Sequence, residues 1–486
     1  MVNKKQTLIV INLCSFLVLL YSLSMIPPML IALIYKEKSL FSFFYTLIIS
    51  SLVGGLCWQV TRQKKVQLHT QDGFLIIVLF WTFFSLISAL PLWMDNTLNI
   101  SLTDAMFEGV SGITTTGASV LNDLTHVPKS ILYYRAQLNF IGGLGVIVLA
   151  VAILPLLGIG GTKLYQSEMP GPFKEERLTP RLADTAKTLW STYMLLGLLC
   201  TLSFRIAGMP WFDALCHALS TISLGGFSTR NESLGYFNSA PVEIVAGIFS
   251  ILSAVNFTLY FVAAQRRSLM PLFKNPELRF FLLILAIVMA IVCTQLVNSE
   301  RYPSIEAIVH GFLLTASMMT DNGLATGDYA TLPSNTVILL LAASFFGGCV
   351  GSTCGGIKAL RFLIMYKQSR RELHQLLHPN AVHTIKVGSS PIPDRVLRSV
   401  WSFFFLYIFF SCFFMWALNS MGYDMMTSFG TVAACINNMG LGFGETAGGF
   451  GTLSSPAKWL MCATMLFGRL EIYPILILCS RTFWRS

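Results

Sequence analysis

The chain has 486 residues, 54% of them apolar and 12% charged, with 33 Lys and Arg against 23 Asp and Glu and a formal net charge of +10. A soluble domain carries roughly 25% charged residues, so the composition excludes an ordinary water-soluble fold and makes lipid the solvent. The positive excess lies in short segments between apolar runs, not on an aromatic-studded polar domain, which argues against a nucleic-acid partner.

Crossing a hydrocarbon core of roughly 30 Å as helix takes about 20 apolar residues. Near-continuous apolar runs lie at about 7–35, 40–60, 73–93, 131–157, 188–209, 242–264, 279–297, 335–366, 399–419 and 457–480, which predicts ten spanning helices. The first run follows Met1-Val-Asn-Lys-Lys but is too long for a signal peptide, and no small-residue cleavage site follows it, so it reads as a retained helix. With both termini in the cytoplasm, the cytoplasmic segments are 1–6, 61–70, 158–187, 265–279, 358–398 and the C-terminal tail. Counting Arg469 with them, they hold roughly 25 of the 33 Lys and Arg, as the positive-inside rule requires. The 11 cysteines lie in or beside apolar runs without a C-x-x-C pair, so they read as packing residues, and neither a disulfide framework nor a zinc site is expected.

A fourfold repeat emerges when the intervening loops are aligned on Gly117, Gly226, Gly323 and Gly440. In each, a spanning helix precedes a short semi-polar segment, a loop rich in Gly, Ser, Thr and Asn, and a second spanning helix. The short segments, about 104–114, 212–222, 305–319 and 424–436, cannot cross a bilayer and suit re-entrant half-helices. An acid stands at or near the start of each, Asp104, Asp213, Glu306 and Asp424, where a carboxylate complements the helix dipole. Pro128, Pro241, Pro333 and Pro456 open the returning helices, where a missing N–H costs little. The fold class predicted is an all-α integral membrane protein of ten transmembrane helices. Eight of them form four helix–pore-helix–helix repeats around a pseudo-fourfold pore. Residues 1–66 supply two extra helices, and the repeats occupy 67–160, 161–266, 267–372 and 373–486.

The loops Ile113-Thr-Thr-Thr-Gly117, Ile222-Ser-Leu-Gly-Gly226, Met319-Thr-Asp-Asn-Gly323 and Ile436-Asn-Asn-Met-Gly440 are neutral except for Asp321. Extended backbone beneath half-helix C-termini can aim carbonyls at an axis and replace the water around a weakly hydrated cation. Potassium suits that chemistry better than magnesium, which dehydrates reluctantly. The competing reading is that these small residues only let helices pack closely. In the third returning run, Phe346-Gly-Gly-Cys-Val-Gly-Ser-Thr-Cys-Gly-Gly-Ile-Lys358 should interrupt the helix, either as a mobile loop under the filter or as a packing seam. Gly142-Gly143-Leu144-Gly145 reads as packing. Arg469 lies about ten residues inside the last run, where its charge would oppose cations; pairing with Glu471 and snorkelling are the alternatives. His217 and His310 read as hydrogen-bonding residues, not ligands.

The segments Glu108-Gly-Val-Ser-Gly-Ile-Thr-Thr-Thr-Gly117, Ser167-Glu-Met-Pro-Gly-Pro172, Gly225-Gly-Phe-Ser-Thr229, Gly347-Gly-Cys-Val-Gly-Ser-Thr-Cys-Gly-Gly356 and Phe467-Gly-Arg-Leu-Glu471 together resemble the Trk/Ktr/HKT superfamily of potassium transporters, in particular its Trk membrane subunits. The resemblance extends over essentially the whole chain. It implies a homodimer in the bacterial inner membrane, one pore per subunit, and a cytosolic nucleotide-binding regulatory subunit, TrkA, on the basic face. It also implies potassium sites at Thr115 and Thr116, Leu224 and Gly225, Asp321 and Asn322, and Asn438 and Met439, just before the filter glycines. The family's gating loop corresponds to Gly347, Gly348, Gly351, Gly355, Gly356 and Lys358, and its gating arginine to Arg469. Where many relatives are neutral this chain has Asp321, which bears on selectivity and sodium dependence. Family members are commonly described as potassium and proton symporters, and a channel, a coupled carrier and a non-conducting regulatory subunit all remain open at this point. An enzyme would need a buried nucleophile with a base, or a metal cluster, and the sequence has neither at a convincing spacing.

Overall fold

The computed structural model describes residues 4–61, 70–152, 178–326, 329–380, 384–388 and 390–485. The Ser167–Pro172 motif and much of the two expected cytoplasmic segments at 61–70 and 158–187 lie outside the described residues. The apolar runs fold mainly as helix, because in lipid a backbone without water must satisfy its own hydrogen bonds. Among the described residues six helices are long and apolar enough to cross a membrane: Val10–Tyr35, Leu40–Thr61, Asp72–Met94, Lys187–Ile206, Pro276–Asn298 and Asp394–Ser420. Large side chains on their outer faces, such as Leu283 and Phe405, are exposed, as a lipid-facing surface requires.

The returning helices are interrupted more often than the single break that the glycines of the third predict. Only the first, Lys129–Ala152, is continuous. The second is Ala240–Ser253 followed by Phe257–Arg266 at a bend of 85°, and the fourth is Ser455–Arg469 followed by Tyr473–Cys479 at 110°; counting each bent pair as one span gives eight candidates. The third breaks as its glycines predict, between Ser334–Ser344 and Ala359–Leu377. The bends have local causes. Asn256 restarts a helix by accepting from the Thr258 N–H at 2.8 Å. In the fourth, Glu471 and Ile472 take positive φ and Pro474 opens the next helix. The backbone freed at the second bend is used by the third-repeat loop: Phe257 N–H donates to Gly351 O at 3.1 Å, and Cys349 N–H donates to Ala254 O at 2.9 Å. Protein thus replaces the missing intrahelical partners at membrane depth.

Four short helices stand where half-helices were expected: Leu102–Ile113, Trp211–Ser223, Ser304–Met319 and Met425–Ile436. Their opening acids play different parts. Asp424 is an N-cap, accepting from Met426 N–H at 3.0 Å. Asp104 lies three residues after its cap, Ser101, and takes the Lys458 ammonium at 2.6 Å. Asp213 binds the Thr229 hydroxyl and Arg230, at 2.5 and 3.0 Å, and Glu306 is exposed. One departure from an all-α chain is a two-residue hairpin pairing Lys386–Val387 with Ser390–Pro391. Val387 and Ile392 there pack with Leu363, Ile364, Leu397 and Val400, tying the start of the fourth repeat to the end of the third.

A candidate ion filter at the centre of four loops

The four pore helices end in one backbone motif. The residue before each glycine, Thr116, Gly225, Asn322 and Met439, donates its N–H five residues back, to Ser111, Ser220, Ser317 and Ala434, at 2.8, 3.0, 2.8 and 2.8 Å. The residue before that, Thr115, Leu224, Asp321 or Asn438, lies in the left-handed region with φ between 54 and 60°. This is the helix stop in which a left-handed residue lets the chain reverse and satisfy its last carbonyls. It turns the following backbone inward at the same depth four times.

The glycines then close a ring. A Cβ built on Gly117 would lie 2.0 Å from Gly225 O, one on Gly226 2.6 Å from Asn322 O, one on Gly323 2.1 Å from Met439 O, and one on Gly440 2.1 Å from Thr116 O. Each glycine therefore packs on the carbonyl that precedes the glycine of the next repeat, and the fourth returns to the first. All four have φ of 71 to 79°, so both space and backbone angle call for glycine. The eight residues predicted to hold potassium come together here and are buried, while Gly117, Gly226 and Gly440 are half-buried. The Leu224 and Met439 side chains pack among Ala254 and Phe346 and within the main core respectively, so these two residues offer only backbone to an ion. Neighbouring repeats are also laced by side chains: Asn139 to Ser220 at 3.2 Å, Asn322 to Ser250 at 2.6 Å, Asn437 to Ser344 at 2.8 Å and Asn438 to Thr116 at 2.9 Å.

On the loop side of the filter lies a buried ion pair that the sequence reading passed over. Arg135 Nε donates to Glu108 Oε1 at 2.6 Å, and the guanidinium also reaches Ser119 Oγ at 2.9 Å and Ser228 O at 3.2 Å. Glu108 in turn accepts from Val120 N–H at 3.0 Å, and the guanidinium lies 4.2 Å from the Phe227 ring. A charge inside a pore helix that must stay dry, followed by an arginine in the returning helix, was the available signal. The pair fastens the exits of the first two filter loops. Removing one partner of a buried pair strands the other, at roughly 3–5 kcal/mol. Glu108→Gln is therefore expected to lower the melting temperature of the purified chain clearly, and Glu108→Leu combined with Arg135→Met to recover much of the loss. Beyond this pair, hydrogen bonds from the Thr125 backbone and hydroxyl and from Asn231 hold the Asp123 carboxyl down at about 2, pinning the first outer loop to the second.

Beneath the ring, residues 345–358 cross from the second repeat to the fourth. Thr353 Oγ1 donates to Ile222 O at 3.2 Å, and a Cβ on Gly355 would lie 1.8 Å from Asn437 O. Gly347, Gly351 and Gly356 take positive φ, and Gly348 is wedged against Cys354 and Ala254. Lys358 donates to Cys354 O. Arg469 donates to Thr353 O at 3.2 Å and Gly142 O at 3.1 Å, joining this loop to the first returning helix. It does not pair with Glu471, which takes Arg361 instead. Gly142 presses on Ile113 O, and Gly143 on Ser223 and Tyr193, as close packing requires. His217 binds Asp213 O at 2.8 Å and Ser228 Oγ at 2.9 Å, and His310 binds Glu243 at 2.7 Å.

A family model described as "TrkH: Cation transport protein" matches residues 39–485. The chain is 61% identical over 484 residues to the Trk system potassium uptake protein TrkG of Escherichia coli K12, covering 100% of both chains. It is 44% identical over 480 residues to the TrkH protein of Vibrio parahaemolyticus, covering 98% of this chain and 99% of that protein. The crystal structure of the potassium transporter TrkH from Vibrio parahaemolyticus superposes with a TM-score of 0.91 at 42% identity, over 98% of this chain and 99% of that one.

Proposed function

The chain belongs to the TrkH family of cation transport proteins, and from that premise we propose how it moves its ion. It is a potassium uptake protein and not an enzyme. The carrying observation is the closed ring in which each filter glycine rests on the carbonyl before the next. That geometry supports backbone oxygens at Thr116, Gly225, Asn322 and Met439, with neighbouring groups at Thr115, Leu224, Asp321 and Asn438, as the replacement for potassium's water shell. Four pore-helix C-termini add negative potential at the same depth. The loop from Gly347 to Lys358 and the Arg469 guanidinium together form the gate.

The ion is taken up across the bacterial inner membrane with both termini in the cytoplasm, an orientation supported by the basic inner segments. The working unit is a homodimer with one pore per subunit, and the regulator is TrkA, a cytosolic nucleotide-binding subunit that docks on the basic face. Expression with the cognate regulator is expected to restore growth of potassium-uptake-deficient bacteria at low potassium; no rescue by a chain that reaches the membrane would overturn the transport reading. Electrical recording separates channel from carrier. Currents reversing at the potassium equilibrium potential at every pH are the channel result, and a reversal that moves with pH is the proton-symport result. A second reading, broader monovalent selectivity or sodium dependence, is favoured by one observation: Asp321 puts a carboxylate in an otherwise neutral filter.

A further inference from the structure

Among the described residues the carboxylate of Asp321 has no hydrogen-bond partner. The residue is fully buried at the end of the third pore helix, and neither of its side-chain oxygens makes a hydrogen bond. Thr115, Leu224 and Asn438 stand at the corresponding positions with the same left-handed backbone, so one filter loop of four carries a charge. A bare carboxylate at this depth is strongly disfavoured unless a positive charge offsets it.

The positive charge at hand belongs to the intramembrane loop. That loop lies against Asp321, since a Cβ on Gly356 would stand 3.1 Å from Asp321 Oδ2. Two residues on is Lys358, also buried, with its ammonium on the Cys354 carbonyl. The Lys358 and Asp321 charges act on each other without closing an ion pair. Glu471, which pairs with Arg361, also acts on the Lys358 charge, and Arg469 is held by the Thr353 and Gly142 carbonyls.

We propose that the Lys358 ammonium is a tethered competitor of the permeating monovalent cation for the Asp321 carboxylate at the inner end of the filter. With the loop in place, Lys358 supplies the offsetting charge. With the loop withdrawn, the carboxylate faces the ion path and takes the cation instead. A single carboxylate among neutral oxygens suits a monovalent ion, because divalent sites draw on more oxygen ligands and more charge. Competition is reciprocal: whatever cation occupies Asp321 weakens the loop's hold, and the lodged loop weakens the cation's. The inference rests on reading the four loops as an ion filter.

The test is rubidium uptake against rubidium concentration, in potassium-uptake-deficient bacteria carrying the full chain and its regulator. Asp321→Asn is expected to raise the half-saturating concentration several-fold. Lys358→Gln is expected to lower it, since the competitor is gone. The double variant is expected to match Asp321→Asn alone, because a competitor is irrelevant once its site is removed. Unchanged half-saturation in Asp321→Asn, or single effects that simply add, would overturn the proposal. If Asp321→Asn fails to reach the membrane, Asp321→Glu carries the same comparison: it should keep the response to Lys358→Gln, and losing that response counts against the site. Absence of uptake in the unaltered chain would instead defeat the filter reading itself.

Discussion

Serine in place of Gly117, Gly323 or Gly440 is expected to cut rubidium uptake by about tenfold or more while the chain still inserts, and serine at Gly226 is expected to be the mildest of the four. A left-handed backbone costs a non-glycine residue roughly 1–2 kcal/mol, and tenfold in rate corresponds to about 1.4 kcal/mol. The larger effect is steric. The new Cβ would lie 2.0 to 2.1 Å from a carbonyl oxygen of the next loop at Gly117, Gly323 and Gly440, and 2.6 Å at Gly226. Backbone carbonyls cannot yield as a flexible side chain does, so relief means moving the neighbouring loop's oxygen, which is itself a proposed ion ligand. One substitution therefore disturbs two repeats, and potassium-over-sodium selectivity should fall together with rate. Membrane-fraction immunoblots establish insertion. Unchanged uptake and selectivity in all four variants would remove the filter assignment.

The four short helices and their loops were legible because repetition amplifies a weak signal. Gly, Thr and Asn before one glycine mean little; the same pattern after four non-spanning segments predicted the pore helices to within about two residues at either end. The glycine-rich third return was likewise readable, since five glycines cannot hold a helix together. The bends at Asn256 and Pro474 were not read, although each carries a local signal, because both sit inside runs whose hydropathy alone argues for continuity. What no composition could disclose is who satisfies the broken backbone. The answer is the third-repeat loop, whose Cys349 and Gly351 are nearly a hundred residues away from the second bend they complete. Side-chain partners were hidden for the same reason: Arg135 with Glu108, Lys458 with Asp104 and Arg361 with Glu471 are all made by the fold, and proximity of Arg469 to Glu471 in sequence pointed to the wrong pair.

Arg469→Ala is expected to make the pore leaky in the absence of its regulator. The guanidinium is buried, sits 5.5 Å from the Trp81 ring, and is held by two carbonyls with its Nε unpartnered, and among the described residues no carboxylate pairs with it. A unit charge within about 8 Å of an ion path, at an effective dielectric of about 20, raises a cation's energy by about 2 kcal/mol, which is worth about thirtyfold in rate. Alanine removes that barrier and also the tie between Thr353 and Gly142, so the intramembrane loop loses a fastening at the moment the field disappears. Lysine separates the two effects: Arg469→Lys retains the charge but not the planar fork that spans two carbonyls. Potassium flux from liposomes holding the chain alone is expected to rise strongly for alanine and only modestly for lysine. Equal leaks in both variants would mean that the fork's tether closes the pore and the charge does not. Wild-type flux and regulation in Arg469→Ala would show that this buried arginine is packing and no part of the gate.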